Sequence, residues 1–140
     1  MSASSTVSPA NALRAAVHAA LIADASLTAA LGGPRIHDVP PASPEFPYVT
    51  LGEAQVIDWS TATETGHEHR LTLNVWSRQG GHGEAHHLAH LVQAVLHDQP
   101  LALDGHLLVN LRATSAEIRR EAGGRTYRAL LRLRAVTETG

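Results

Sequence analysis

The chain contains no cysteine, no lysine and only a few aromatic residues, and each absence narrows what the protein can be. Without cysteine there is no disulfide framework, no thiolate metal site and no cysteine nucleophile. Without lysine, the Gly-Lys-Ser/Thr phosphate loop of many nucleotide-binding proteins is impossible. The net charge of −2 also lacks the basic excess that binds nucleic acid or an anionic membrane.

The length and the apolar content indicate one globular domain. The 140 residues are 44% hydrophobic and 17% charged, a composition typical of a packed core. We expect residues 1–8, which are rich in Ser and Thr, to form a flexible N-terminal tail and residues 9–140 to form the domain. No signal peptide is recognisable, and the Ala/Leu-rich stretch 10–31 is interrupted by charges and falls short of a transmembrane span. We therefore expect synthesis in the cytoplasm and no membrane partner.

Three helices are predicted from capping residues and apolar spacing. Ser8-Pro9 is typical of a helix start and predicts a first helix to about residue 23. Asp24 is typical of a second N-cap, for a short helix that ends at Gly32-Gly33. Residues 84–97 carry an apolar stripe at helical spacing and predict the third helix. The segment 80–83 before it is interpreted as a flexible strand-to-helix turn rather than a phosphate-binding loop.

Alternating and apolar segments predict strands at 35–39, 48–57, 67–77, 107–118 and 127–136. The second and third form a long hairpin around the polar segment 58–67, and the last two form a hairpin around residues 122–125. Leu107, Val109 and Leu111 have one parity and Ala116 and Ile118 the other, which predicts a bulge near residues 114–115. The fold class is therefore α+β, a mostly antiparallel sheet of two hairpins with helices packed on one face.

The ten histidines raise the possibility of a metal site. His82, His86 and His90 are spaced so that they share one face of the third helix, where two imidazoles one turn apart can bind Zn²⁺. A His-Glu-x-x-His pattern is absent, and a solvated helix face explains the same residues, so we predict no metal ligands. His67 and His69 are interpreted as part of an exposed hairpin edge.

Charged and aromatic residues outside the apolar pattern are the candidates for an interface. Arg128, Arg132 and Arg134 share one face of the last strand, which is either an interface between subunits, a lining for nucleic acid, or a solvated face neutralised by Glu117 and Glu121. The two tryptophans lie off the apolar faces, where they either anchor an interface or cover the second sheet face under a helix. The candidate interface residues are Asp58, Trp59, Glu64, Trp76, Arg119, Arg128, Arg132 and Arg134.

A series of small motifs runs in a characteristic order along nearly the whole chain, from about residue 11 to 138. The motifs are DASLTAALGGPRIHD from residue 24, FPYVTLGE from 46, DWST from 58, GHEHRLTLNVWSR from 66, VLHDQPL from 95 and RREAGGRTYR from 119. In this order the chain resembles the small tail-completion proteins of long-tailed phages, a family whose relatives include the tail terminators of gene transfer agents.

The resemblance implies an α+β subunit that forms a ring, expected to be a hexamer. Such a ring caps the tail tube at its head-proximal end, so the implied partners are further copies of the chain, the tail tube protein and the head-side connector, with DNA only as passing cargo. The implied location is the tail neck of a phage-like particle, with no enzymatic activity and no cofactor. Two alternatives remain: a head-side stopper or connector ring, and a small metal-dependent enzyme that uses His82, His86 and His90.

Overall fold

The computed structural model describes residues 7–78 and 81–139. Its elements follow the predicted order of two helices, three strands, a helix and two strands. They are α1 (Pro9–Ala23), α2 (Ala25–Leu31), β1 (Ile36–His37), β2 (Tyr48–Asp58), β3 (Gly66–Ser77), α3 (Gly81–Leu96), β4 (His106–Arg120) and β5 (Tyr127–Thr139). Of the predicted tail 1–8, residues 1–6 lie outside the described part, and Ser8 is the N-cap of α1.

The first two helices begin and end where the capping residues require. The Ser8 side chain accepts a hydrogen bond from the backbone N–H of Asn11 at 3.1 Å, which satisfies one free donor of the first turn. The Asp24 carboxylate caps α2 in the same way by accepting from the N–H of Leu27 at 2.9 Å. Gly32 ends α2 with φ 84°, a left-handed conformation in which a side chain would be strained.

The strands form one five-stranded sheet in the order β1-β2-β3-β5-β4. Both predicted hairpins are present, β2 with β3 and β4 with β5, and the antiparallel pairing of β3 with β5 joins them. Only β1 runs parallel to its neighbour β2, and it pairs through two residues. The mostly antiparallel α+β fold predicted from the sequence is confirmed.

The three helices cover one face of the sheet and enclose the core. This face carries Leu71, Leu73 and Val75 of β3, all at most 2% exposed, beside the inward residues of β5. Among the described residues no single helix is long and apolar enough to cross a membrane. Taken together α1 and α2 meet that length and hydropathy, but the pair is bent by 78° at its break. The opposite face of the sheet carries Arg70, Thr72, Asn74 and Trp76 of β3, and we call it the open face.

The structure differs from the sequence predictions at α3 and β1. Helix α3 begins at Gly81, three residues before the predicted start, so residues 81–83 are helical and do not form a turn. Gly80 lies outside the described residues. Strand β1 keeps only Ile36 and His37 of the predicted segment 35–39.

Strand β4 has two irregularities where one was predicted. The register shift between Ala113 and Ser115 confirms the predicted bulge. A second shift, between Leu108 and Asn110, reverses the parity before it, so the inward assignment of Leu107 and Val109 is wrong. Leu107 and Val109 are 56% and 48% exposed, while Leu111 is buried.

Candidate interaction surfaces

The open face is rich in arginine because alternate residues of three adjacent strands point to it. Arg128, Arg132 and Arg134 of β5 lie on this face, opposite the buried Ala129, Leu131 and Leu133, as their parity predicts. Two cross-strand rows place cations side by side: Arg70, Arg134 and Arg112 form one row, and Trp76, Arg128 and Arg119 form the other. Like charges directly opposite each other destabilise a sheet unless carboxylates lie between them.

Two glutamates on the same chain, Glu117 and Glu121, neutralise part of this charge. Glu121 contacts Arg128 at 2.7 Å, and Glu117 contacts Arg119 at 2.8 Å and Arg132 at 3.7 Å, as the cross-strand interpretation of the sequence anticipated. The hydrogen bond from Arg119 is the largest cause of the lowered pKa of the Glu117 carboxyl.

Glu68 bonds two arginines of the first row, Arg70 and Arg134, and was not predicted as a site residue from the sequence. Its Oε2 accepts from the Nε atoms of Arg134 and Arg70, both at 3.2 Å, and the side chain is 13% exposed. These two hydrogen bonds, that from Arg134 first, lower the pKa of the Glu68 carboxyl. The sequence does place Glu68 two residues before Arg70, on the same face of β3. Its second partner, Arg134, lies diagonally across on β5, and identifying it requires the register between the two strands.

A groove of about 500 Å³ runs across the open face around Glu68. Its polar walls come from β3, β4 and β5, and Glu53, Ala54 and Gln55 of β2 close one side. We call it the arginine groove; its polar lining includes Glu68, Arg70, Thr72, Thr114, Arg132 and Arg134. Such a concave basic surface can bind carboxylates or phosphates, because each guanidinium has several N–H donors in a planar fork.

Trp76 is held by contacts within its own chain. The indole Nε1 donates to Thr50 Oγ1 at 3.1 Å, and the ring stacks on Tyr48 with centroids 6.0 Å apart. The guanidinium of Arg128 lies 5.2 Å from the ring centroid, within range of a cation–π interaction. Trp76 therefore covers part of the open face of the sheet, but the described helices pack on the other face and none lies over it, unlike in the second alternative; its role as an interface anchor stays a prediction.

The hairpin connection between β2 and β3 forms a second surface, of opposite charge. We call residues 58–66 the acidic tip, because they include Asp58 and Glu64 and no basic residue. The Asp58 carboxylate accepts from the N–H and hydroxyl of Ser60, and these bonds lower its pKa. Trp59 donates its backbone N–H to Gly66 O at 2.9 Å while its side chain is 51% exposed.

The carboxyl groups of Glu64 and Glu138 lie next to each other at the base of the tip. The hydrogen bond and the charge of Glu64 raise the pKa of the Glu138 carboxyl. Within the described residues neither group forms an ion pair with a basic side chain, so the negative charge of this end is not neutralised by its own chain.

The histidines of α3 lie on the solvent face of the helix. His82, His86 and His90 are exposed, and the ring of His82 packs edge-on against Tyr127 with centroids 4.6 Å apart. In the described ranges, no three His, Asp or Glu side chains are placed to hold a metal ion together.

One histidine prediction is wrong. His69 is 1% exposed and is hydrogen-bonded to Thr137 Oγ1 at 2.8 Å, whereas an exposed hairpin edge was expected. The pairing of β3 with β5 continues as far as Gly66 and Glu138, so His69 keeps the inward parity of Leu71. Burial is the largest cause of its lowered pKa, followed by the charges of His67 and His106.

Both outer edges of the sheet are covered over part of their length. On β2, Arg14 donates to the carbonyls of Leu51 and Gly52, and it also contacts Asp38. On β4, the N–H of Ala113 donates to His97 Nδ1 at 2.9 Å, which occupies one edge donor. In the part of the chain that the structure describes, residues 53–58 and 114–120 have no strand partner on their outer side.

Comparisons with known proteins agree with one another. A family model described as "Tail completion protein gp17" matches residues 15–138. A chain of the solved structure entitled "Virion of native gene transfer agent (GTA) particle" is 34% identical and superposes with a TM-score of 0.87. The alignment covers 95% of this chain and 99% of that chain. The search of curated proteins found no match.

Proposed function

The chain belongs to the tail completion protein gp17 family, and on that premise we propose that it forms the ring that terminates the tail tube and joins it to the head-side connector. It is a structural protein of a phage-like particle, located in the virion tail. The family resemblance predicted from the small motifs is confirmed. Virion structural proteins of this kind are typically not enzymes.

The observation that carries the proposal is the end-to-end match with a chain of a gene transfer agent virion. The aligned regions span 95% of one chain and 99% of the other, so the likeness extends over nearly all of both chains. At 34% identity and a TM-score of 0.87, the same sheet and helices are available for the same kind of contact in a particle.

Ring formation is supported by the placement of unpaired surfaces on different sides of the subunit. Residues 53–58 and 114–120 present free backbone groups at opposite edges of one sheet, and free edges favour strand pairing with another chain. A contact between two different patches repeats from copy to copy, and it closes into a ring when the rotation fits. We expect six copies in the ring.

The experiment that tests this function is deletion of the gene from its particle. If the chain terminates the tube, tails in the deletion strain lose their uniform length, and heads filled with DNA remain unattached. If it is instead a head-side stopper, tails keep their normal length while heads fail to retain DNA or to join them. Tail-length histograms from negative-stain micrographs distinguish the two roles, and normal, head-joined tails would contradict both.

A further inference from the structure

The open face has more positive charge than its own chain neutralises. It carries Arg70, Arg112, Arg119, Arg128, Arg132 and Arg134, whereas the glutamates bonded to them are Glu68, Glu117 and Glu121. Asp98 approaches Arg112 only at the strand edge, at 3.8 Å. Because the net charge of the chain is −2, the excess of cations on this face is outweighed by an excess of anions elsewhere in the chain.

Within the groove, the arginines keep donors for another ligand. Glu68 occupies only the Nε donors of Arg70 and Arg134, so their terminal NH groups are not used by this carboxylate. Arg132 is 49% exposed, and its nearest carboxylate, that of Glu117, lies 3.7 Å away and also bonds Arg119. A carboxylate entering the groove would therefore meet several guanidinium forks, the geometry in which Arg forms its strongest hydrogen bonds.

The acidic tip has the complementary properties. It carries Asp58 and Glu64 and no basic residue, and Glu138 lies beside Glu64, whose hydrogen bond and charge raise the pKa of the Glu138 carboxyl. Trp59 is 51% exposed and supplies the type of aromatic anchor that dominates many interfaces. The tip is also held in shape by its own hydrogen bonds, such as that from Thr61 N to Glu64 O at 2.9 Å, so docking it costs little additional ordering.

We propose that the arginine groove of one subunit receives the acidic tip of the neighbouring copy of this chain. None of the residues that line the groove belongs to the tip of the same chain, so the two surfaces are free to meet between copies. The contact joins two different patches, and it therefore repeats around a ring in one direction. This inference rests on the proposed ring and identifies the surfaces that hold it together.

A protein carboxylate suits this groove better than DNA phosphate does. A run of phosphates crossing the groove would pass Glu68 in its centre and Glu53 at its side, whereas one protein carboxylate needs only a single pair of guanidinium N–H donors. Nonspecific DNA binding requires a basic surface that neutralises many phosphates, whereas this chain is slightly acidic as a whole. DNA contact is the competing hypothesis, and cross-linking and charge reversal distinguish it from contact between subunits.

The absence of cysteine allows a direct test by cross-linking. In the full chain, Ala62→Cys places a thiol on the exposed tip and Thr114→Cys places one in the groove. When tails assembled from this double variant are oxidised or treated with a short bis-maleimide, we expect a ladder of covalent oligomers that collapses to monomer without either cysteine. As a control, Ala62→Cys is paired with Ser26→Cys, which is exposed on α2 at the helix-covered face and should give no ladder.

Charge reversal gives a second, independent readout. We expect Arg132→Glu to reduce the yield of head-joined particles about tenfold or more, since interfacial charge pairs commonly have coupling energies of that size. Arg125→Glu reverses an exposed arginine in the β4–β5 turn, outside the groove, and should leave the yield unchanged. Adding Glu64→Arg to Arg132→Glu should restore part of the yield, and circular dichroism of each free variant checks that it folds.

The outcomes distinguish this inference from the proposed function. If micrographs of tails show no ring, the proposed function itself fails. If rings are present but the tip and groove cysteines never cross-link, the ring is held by other surfaces and the inference is wrong. If Arg132→Glu leaves rings intact and changes only DNA retention or ejection, the groove faces DNA and the inference is also wrong.

Discussion

The contact between Trp76 and Thr50 permits a quantitative prediction, because it is a partly buried hydrogen bond that one aromatic substitution removes. Trp76→Phe keeps an aromatic ring beside Tyr48 but removes the indole N–H that Thr50 Oγ1 accepts at 3.1 Å. Thr50 is only 8% exposed, so its hydroxyl would lose this partner away from water. An unsatisfied buried polar group costs about 1–3 kcal/mol, and the weaker cation–π contact of Arg128 with phenylalanine adds to it. We expect the free energy of unfolding to fall by about 2 kcal/mol.

The assay is urea unfolding of the purified chain followed by far-UV circular dichroism, which does not depend on tryptophan fluorescence. Thr50→Val removes the other partner, and in a double-mutant cycle the two changes together should destabilise less than the sum of the single changes by about 1 kcal/mol. Trp59→Phe is the matched control. Since Trp59 is 51% exposed and lies on the tip, we expect a change within about 0.5 kcal/mol.

If Trp76→Phe changed the free energy of unfolding as little as Trp59→Phe does, this reasoning would be refuted. Such a result would mean that the contacts of Trp76 with Tyr48, Thr50 and Arg128 do not stabilise the free subunit. A double variant whose destabilisation equals the sum of the single ones would likewise show that the indole N–H and the Thr50 hydroxyl are not coupled.

Three further predictions follow from buried and exposed side chains. Burial lowers the pKa of His69, so the unfolded chain binds a proton at this residue more readily than the folded chain does. The contribution of neutral His69 to the free energy of unfolding is therefore present above about pH 6.5 and is lost as the pH falls through the lowered pKa. Urea titrations at pH 7.5 and 5.5 should show a smaller pH dependence for His69→Gln than for wild type. Replacing His82, His86 and His90 together with Gln should preserve assembly and change the free energy of unfolding by no more than about 1 kcal/mol, most of it from the ring contact of His82 with Tyr127. Stoichiometric zinc in chelator-free protein would contradict this prediction. Leu73→Ala, at a fully buried position of β3, should lower the free energy of unfolding by about 3–5 kcal/mol in the same assay. A decrease below about 1 kcal/mol would mean that Leu73 does not belong to the packed core.

The elements that depend on contacts between residues close in sequence were predictable from the sequence. Ser8 and Asp24 cap helices through bonds to residues three positions away, and Gly32 ends α2 through its own backbone freedom. The two hairpins follow from alternation and from glycine-rich or polar connections. The arginine face of β5 could be predicted for the same reason, because parity alone decides it.

Features that depend on long-range register were not predictable. Glu68 bonds Arg134 across 66 positions in the chain, a diagonal contact that only the pairing of β3 with β5 creates. His69 is buried because that pairing extends further than the apolar pattern indicated. In β4, Leu107 and Leu108 have opposite parity, and the register shift between Leu108 and Asn110 decides which of them points inward. The sequence alone does not show that shift.

The most direct test of the central claim is a cryo-electron microscopy reconstruction of purified tails that carry this chain with a small C-terminal tag. We expect one ring of this chain at the head-proximal end of the tube, with the tag density repeated once per subunit. Density for the chain along the length of the tube, at the distal end, or only on the head side of the joint would contradict it.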